Sequence, residues 1–334
     1  MNIIIPMAGW GTRLRPHTLT IPKPMLPIAG KPIVHRLVED LIKSTSEKID
    51  NIVFIIRQDF GKAIESQLND IATSVGIPGH ICYQDQPLGT AHAILCAGDF
   101  LNSHIIVAFA DTLFKMNFKI DTSKEGVIFV QKVADPSAFG VVKLDADGNI
   151  TDFIEKPKEF VSDLAIIGIY YFADGAKLRQ EMQHLIDNKI AVKGEYQLTD
   201  AMENMKRKGA KFGQGTVQDW LDCGNKNATV DTNATYLNYL NGTKLVSDSA
   251  VITNSIIIQP SYIGEGVKIT NSVVGPHVSV GKNTVIENSI VSKSIIQTNA
   301  VLKNKLIENS MVGNNTKLVG KMEDLSIGDY VTTS

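Results

Sequence analysis

The tripeptide Asn-Ser-aliphatic recurs four times late in the chain, at Asn254-Ser255-Ile256, Asn271-Ser272-Val273, Asn288-Ser289-Ile290 and Asn309-Ser310-Met311. The first three copies are 17 residues apart and the last gap is 21. A fixed period of this size marks a stacked solenoid, in which each repeat buries its apolar side chains only against its neighbours. Between the copies small apolar residues fall every five or six positions, at Ile263, Ile269, Val274, Val280, Ile286, Val291, Ile296, Leu302, Ile307, Val312 and Leu318. Glycine often follows them, as at Gly264, Gly275, Gly281, Gly313 and Gly328. Strands of a β-sandwich would alternate at period two, and this segment does not sustain that alternation.

The pattern is an imperfect hexapeptide repeat with three flat faces per turn. It is similar to a left-handed parallel β-helix, expected over residues 243–334. Residues 1–242 read differently. Ile3, Ile4 and Ile5 form a short run of buried-strand type, and Ile33, Val34, Leu37, Val38, Leu41 and Ile42 recur at the spacing of an amphipathic helix. Further strands are expected at 51–56, 80–84 and 104–111, with helices at 60–74 and 89–101 between them. Such alternation predicts an α/β fold with a Rossmann-like, doubly wound mixed sheet. From Gly126 the strands shorten, at 126–133, 139–144, 150–155 and 166–172, which predicts a strand-rich second lobe facing the first across a cleft. Helices at 175–187, 198–208 and about 225–240 complete this domain.

The first strand leads into an irregular segment, Gly9-Trp10-Gly11-Thr12-Arg13-Leu14-Arg15-Pro16, then Pro22-Lys23-Pro24-Met25-Leu26-Pro27 and Gly30-Lys31-Pro32. It leaves the carboxyl end of a strand, where open α/β sheets bind ligands. Its glycines let backbone N–H groups approach phosphate oxygens, and Arg13, Arg15, Lys23 and Lys31 place four cations within 19 positions. The prolines stiffen a stretch that no ladder holds. The expected ligand is a polyphosphate. A dinucleotide fingerprint would need glycine where Leu14 stands, and the Gly-Lys-Ser/Thr of a P-loop is missing at its required spacing.

Gly-x-Gly-Thr-Arg-Leu followed by Pro-Lys-Pro-Met-Leu-Pro resembles the signature of the sugar-phosphate nucleotidylyltransferases, which join a nucleoside triphosphate to a sugar 1-phosphate. The resemblance runs from Met1 to about Leu240. It implies that Arg13 and Lys23 contact the triphosphate and stabilise departing pyrophosphate, with the backbone of Ala8, Gly9, Gly11 and Thr12 cradling it. Of the other two cations, Lys31 reads as a solvated surface charge and Arg15 is open to either role. Asp111 and Asp222, the latter in Trp220-x-Asp222-x-Gly224, match the family's metal pair and imply Mg²⁺. The family commonly has glycine before the first of these; here it is Ala110.

Tyr83-Gln84-x-x-Pro87-Leu88-Gly89-Thr90 matches the base-reading segment. Gln84 would offer an acceptor and a donor side by side to uracil or thymine, with Gly89 and Thr90 beside the nucleotide. Phe153-Ile154-Glu155-Lys156-Pro157 matches the sugar-phosphate motif, with Glu155 on sugar hydroxyls and Lys156 on the phosphate. Gly140, Ile166, Glu195 and Trp220 match further parts of the sugar pocket. An apolar residue at Ile166 favours a plain hexose over an N-acetylated sugar.

The activity so implied is transfer of a nucleotidyl group from dTTP or UTP to a hexose 1-phosphate, best fitted by glucose 1-phosphate. The alternatives are a mannose-1-phosphate guanylyltransferase and a catalytically silent regulatory or assembly subunit of the same fold. An additional acyltransferase activity in the solenoid is disfavoured by its few turns and its single histidine, His277. A formal net charge of −2 gives no support for nucleic-acid or anionic-membrane binding, so a phosphate site must be a local concentration of cations. No apolar run reaches the ~18 residues of a membrane span, and no leader is evident at the N-terminus. Cys82, Cys96 and Cys223 lack metal-ligand spacing and read as reduced thiols of a cytoplasmic protein. The flat faces of the solenoid suggest a homo-oligomer.

Overall fold

A computed structural model describes residues 1–321 and 324–332; Met322, Glu323, Thr333 and Ser334, at the end of the expected β-helix domain, lie outside the described residues. The chain divides into two compact units, one of Met1–Leu26 with Lys31–Asn225 and the other of Pro27–Gly30 with Lys226–Ser334.

The first unit opens with β1 (Asn2–Pro6), buried throughout. Along the chain the irregular loop is followed by β2 (Pro27–Ile28), which belongs to the second unit, and then in the first by β3 (Lys31–Pro32) and α1 (Ile33–Ser44). Its buried stripe, Ile33, Val34, Leu37, Val38 and Leu41, follows the expected spacing. It ends where the Ser44 hydroxyl donates back to the Leu41 carbonyl and Thr45 turns extended. Then come β4 (Asn51–Ile56), α2 (Lys62–Ser74), β5 (Gly79–Tyr83), α3 (Thr90–Leu95) and β6 (Ile105–Ala108). α2 starts later than periodicity suggests because Gly61, at φ 81°, breaks the helical path. Gly98, at φ 58°, likewise confines α3 to six residues, with a 3₁₀ turn after it.

β6, β1, β4 and β5 are adjacent and parallel, in that order. The chain therefore runs outward from β1 through β4 and β5, then returns to β6 on the other side. That reversal opens a crevice beyond the carboxyl ends of β1 and β6, the place where open α/β sheets bind ligands.

Past β7 (Thr112–Lys115), the strands β8 (Gly126–Lys132), β9 (Gly140–Leu144), β10 (Ile150–Glu155) and β11 (Leu164–Phe172) do not build a separate sheet. They extend the first one antiparallel through β11 on β6, giving nine strands among the described residues. β11 pairs with β8 in two stretches separated by a register shift between Ile166 and Tyr170, where Gly168 takes φ 86°. The bulge bends the sheet and turns the backbone of 166–168 toward the crevice. α4 (Gly175–Asp187) and α5 (Leu198–Arg207) cover this half, and Leu178, Met182, Leu185, Leu198, Met202 and Met205 join its core. β12 (Phe212–Thr216) adds to β8, while β13 (Asp219–Asp222) pairs with β7 as a separate ribbon. That ribbon is tied to α1 by a largely buried ion pair between Lys115 and Asp40, 2.7 Å apart.

The second unit begins with α6 (Lys226–Tyr239) and continues as the expected solenoid. Short strands form three parallel sheets of five, four and four strands among the described residues, the arrangement of the left-handed β-helix expected from the hexapeptide spacing. Ile263, Ile269, Val274, Val280, Ile286, Val291, Ile296 and Leu302 fill its core. Asn254, Asn271 and Asn288 stack as a ladder, the Nδ2 of each donating to the Oδ1 of the next, but the fourth rung is Asn304 and not Asn309. The third coil is one residue shorter, so Leu306 lies beside Ile290, and Met311 falls on a different face, beside Ile295. The division at Asn225 precedes the expected boundary at 242/243 because α6 packs with this unit: Asn233 is wholly buried in it and Lys226 donates to the Asn309 carbonyl.

Candidate active site

The loop after β1 and the segment after β6 face the crevice. Asp111 was expected at a strand end. β6 stops at Ala108, however, because the Phe109 N–H turns aside to the Gly168 carbonyl, so Asp111 stands in a short connection before β7. Antiparallel pairing of β7 with β13 sets Thr112 opposite Asp222, and the Cys223 N–H donates to the Asp111 carbonyl. The ribbon thus brings together two carboxylates that are far apart in sequence. Asp222 Oδ1 accepts from the Gly224 N–H at 2.9 Å. Burial pushes the Asp222 carboxyl above the usual range; Lys23 opposes that push and Asp111 adds to it.

Lys23 is the buried cation of the site, its side chain 7% exposed, and Nζ lies 3.1 Å from Asp111 Oδ2. Its stem fits against Gly11, where φ is 71° and a Cβ would lie 2.5 Å from the Lys23 Cβ. Glycine is required there on both counts. Among the described residues the amide N–H groups of Ala8, Gly9, Trp10 and Gly11 donate to no protein acceptor, which leaves a row of donors at the end of β1. Arg13 is exposed at the mouth.

A first cavity of about 340 Å³ is lined by Ala8, Gly9, Gly11, Arg13, Lys23, Gln84, Gly89, Thr90 and Asp111. A second, of about 460 Å³, is lined by Gly140, Glu155, Ile166, Trp220 and Asp222. Arg13, Thr90, Phe109 and Asp111 line both, so the two compartments share a wall.

Several residues take positions that their sequence roles did not anticipate. Glu195, expected in the sugar pocket, lines the first cavity, where its Oε2 accepts from Gln197 Nε2 at 2.9 Å. Thr12 lines neither cavity. Lys156 also lines neither; its side chain is 60% exposed and Nζ lies 3.5 Å from Glu155 Oε1. Lys31 pairs with Glu39 on α1, and Arg15 is exposed and lines neither cavity.

Gln84 is buried at the end of β5, and its Nε2 donates to the Gly89 carbonyl at 3.1 Å and approaches His92 Nδ1 at 3.0 Å. The Gly89 carbonyl fixes which end of the amide is the donor. Burial lowers the His92 pKa, so neutral Nδ1 can accept. The Gln84 amide expected to offer a base an acceptor and a donor thus has its donor end turned to the Gly89 carbonyl and beside His92. The freedom of Gly89, at φ 105°, is spent on the protein: a Cβ would lie 2.4 Å from the Tyr196 carbonyl oxygen. Thr90 is equally committed, donating to Gln197 Oε1 and accepting from the Leu198 N–H at the start of α5.

In the second cavity Thr199 Oγ1 donates to Glu155 Oε2 at 3.3 Å, and Gly140 leaves room for that carboxylate, 3.0 Å from where its Cβ would be. Trp220 packs edge-on against Phe139, and its indole N–H is buried with no acceptor among the described residues. Gln197, Thr199, Phe109 and Phe139 were not singled out from sequence. Gln197 and Thr199 sit in the stretch that carries Glu195, where two polar residues opening an amphipathic helix were the available signal. His277 lies in the second unit with Nε2 2.8 Å from Asn238 Oδ1. Among the described residues no group of three or more metal-ligating side chains forms, and no helix is long and apolar enough to cross a membrane.

Residues 2–239 match the nucleotidyl transferase family. A glucose-1-phosphate thymidylyltransferase of Streptomyces antibioticus is 31% identical over 320 residues, covering 89% of this chain and 87% of that protein. A mannose-1-phosphate guanylyltransferase catalytic subunit beta of Drosophila pseudoobscura pseudoobscura is 30% identical, covering 80% of this chain and 71% of its own. Among solved structures, a UDP-glucose pyrophosphorylase complexed with UDP-glucose aligns with a TM-score of 0.57 and 24% identity, over 71% of this chain and 98% of that one, a likeness of fold.

Proposed function

The chain belongs to the nucleotidyl transferase family and is a sugar-1-phosphate nucleotidylyltransferase, and from that premise we propose that it transfers a nucleotidyl group from dTTP or UTP to glucose 1-phosphate. The observation that carries the reading is the shared wall: two adjoining compartments with Asp111, the partner of Lys23, lining both suit two polyanions that must meet at one phosphorus. The unpaired N–H row after β1, with Lys23 and Arg13, would hold the triphosphate and neutralise the departing pyrophosphate. In-line attack needs little more than positioning and charge neutralisation. Glu155, set by Thr199, would accept from sugar hydroxyls, and the unpartnered Trp220 N–H would donate to one. Lys156, beside Glu155 and exposed, would swing onto the sugar's phosphate.

The carboxylate pair fits a hard divalent cation. Burial and the neighbouring Asp111 disfavour the ionised Asp222 and Lys23 favours it, so a bound divalent cation would relieve both the burial cost and the repulsion between the two carboxylates. Asp111 and Asp222 would hold Mg²⁺, which when bound polarises the phosphate that is attacked.

Gln84 favours keeping a second reading. With its Nε2 on the Gly89 carbonyl, the acceptor end of Gln84 would match N3–H of uracil or thymine and N1–H of guanine alike, and a guanylyltransferase is among the relatives. We assign catalysis to residues 1–242 and assembly to the β-helix, where Ile256, Ile290 and Leu306 form an exposed aliphatic stripe suited to a second copy. The test is pyrophosphate release across five nucleoside triphosphates and the 1-phosphates of glucose, galactose, mannose and N-acetylglucosamine. Signal confined to dTTP or UTP with glucose 1-phosphate is expected. Signal with GTP and mannose 1-phosphate would overturn the choice of base, and silence from folded protein would point to a regulatory subunit.

A further inference from the structure

Four residues of the N-terminal half belong to the second unit: Pro27–Gly30, immediately after the Pro22–Leu26 stretch that carries Lys23. Two consecutive residues of this turn are left-handed, Ala29 at φ 49° and Gly30 at φ 85°. Glycine has reason to be at the second position, since a Cβ there would penetrate the Tyr262 ring, 2.2 Å from Cζ. Ala29 has no such reason. A left-handed alanine is disfavoured and persists only where its surroundings over-determine it.

The surroundings are polar and wholly buried. The Ala29 N–H donates to Asn233 Oδ1 at 2.9 Å, and the same oxygen accepts from Ser279 Oγ at 2.7 Å. Asn233 Nδ2 reaches the His277 carbonyl at 3.4 Å. Asn233 is 0% exposed, Ser279 3% and Ala29 1%. One side chain of α6 therefore ties a β-helix coil to the turn through which the Lys23 segment leaves. An apolar residue at 233 would satisfy the packing of α6 more cheaply, and nothing in the helix itself calls for a buried amide.

We propose that Asn233 is a positioning residue for nucleotidyl transfer: by holding Ala29 in its left-handed turn it fixes the path of the Lys23 segment, so the β-helix unit contributes to turnover as well as to assembly. The proposal rests on the enzymatic reading above. A displaced cation in a reaction governed by positioning costs rate before it costs affinity.

The experiment compares steady-state kinetics of the full-length wild type, Asn233→Leu, Asn233→Leu/Ala29→Gly, and Ile286→Ala, which opens the β-helix core at a distance from the turn. Asn233→Leu should lose about 10- to 100-fold in kcat with little change in KM for the sugar phosphate. Adding Ala29→Gly should restore most of that loss, because glycine adopts the turn without a clamp. Ile286→Ala should lower the thermal midpoint comparably and leave kcat within about twofold of wild type. Wild-type kcat in folded Asn233→Leu, no rescue by Ala29→Gly, or an equal kcat loss in Ile286→Ala would each overturn the clamp. A wild type without turnover on any substrate pair would instead overturn the enzymatic reading.

Discussion

Left-handed backbone is needed in both units, and they supply it with different residues. In the β-helix it is taken mostly by asparagine, at Asn254, Asn271, Asn283, Asn288, Asn299, Asn304, Asn309 and Asn315, beside Gly266, Gly275, His277 and Lys293; among the residues lining the cavities it is taken by Gly11, Gly89 and Gly168. Asparagine tolerates this region, and in a stack its amide meets the amide of the next coil, as Asn271 meets Asn254 and Asn288. A cavity wall has no identical neighbour to stack upon. Its corners must instead be empty of side chain, and the room goes to the Lys23 stem at Gly11 and to the Tyr196 backbone at Gly89. Order by repetition is shared among many equal contacts, so one loss is small. Order around a site rests on unlike contacts made once.

The largest effects should fall on the contacts made once. Lys23→Ala and Asp222→Asn should each cut kcat by at least about 100-fold while the protein stays folded, checked by pyrophosphate release beside thermal unfolding. Asp222→Asn should also raise the thermal midpoint at neutral pH. The folded carboxyl holds its proton to higher pH than the unfolded one, so above the ordinary carboxylate range the ionised group opposes folding, and the amide removes that opposition. Near-wild-type turnover in Asp222→Asn would break the assignment of the carboxylate pair. Lys156→Ala should raise KM for the sugar 1-phosphate about tenfold and leave KM for the nucleotide unchanged, which initial-rate measurements separate.

A smaller effect is expected at His92. Burial lowers its pKa from the ordinary value of 6.5, so protonation comes at lower pH than for a free imidazole. There the imidazolium N–H would face the Gln84 amide donor, and KM for the nucleotide should climb on the acid side; His92→Asn should flatten that climb. The smallest effect belongs to the repeat. Asn271→Ala should cost about 1–2 kcal/mol of stability, read by denaturant unfolding, and leave turnover unchanged. A collapse of the β-helix in that variant would show that its corners are not interchangeable.

What the sequence revealed follows the same contrast. The solenoid was legible because its apolar positions recur, and only the fourth asparagine misled: Asn309-Ser310 repeats the motif, but a coil one residue shorter gives its rung to Asn304. The signature loop was legible because a glycine-bearing cation segment after a buried strand has few uses. Gln84 stands in the expected segment, but its partners, the Gly89 carbonyl and His92, come from a turn and a helix that sequence cannot bring to its side chain. Glu195, expected in the sugar pocket, lines the first cavity while its partner Gln197 lines the second, a division across one hydrogen bond that sequence does not show. The wall between the compartments depends on the β7–β13 ribbon, a pairing between residues 112 and 222 that no local pattern announces.

The coils are not all of one length, and the inequality gives the stack a direction. Ile256 to Tyr262 and Val273 to Ser279 each span one residue more than Ile290 to Ile295 and Leu306 to Met311. The longer corners carry Pro260, Pro276 and His277, whose carbonyl meets Asn233. One end of the solenoid is thereby keyed to α6, and beyond it the spacing settles to a uniform 16, as from Asn288 to Asn304 and from Asn299 to Asn315. Whole coils could be inserted or excised in that uniform part like courses of brick, altering its reach while the keyed courses stay in register.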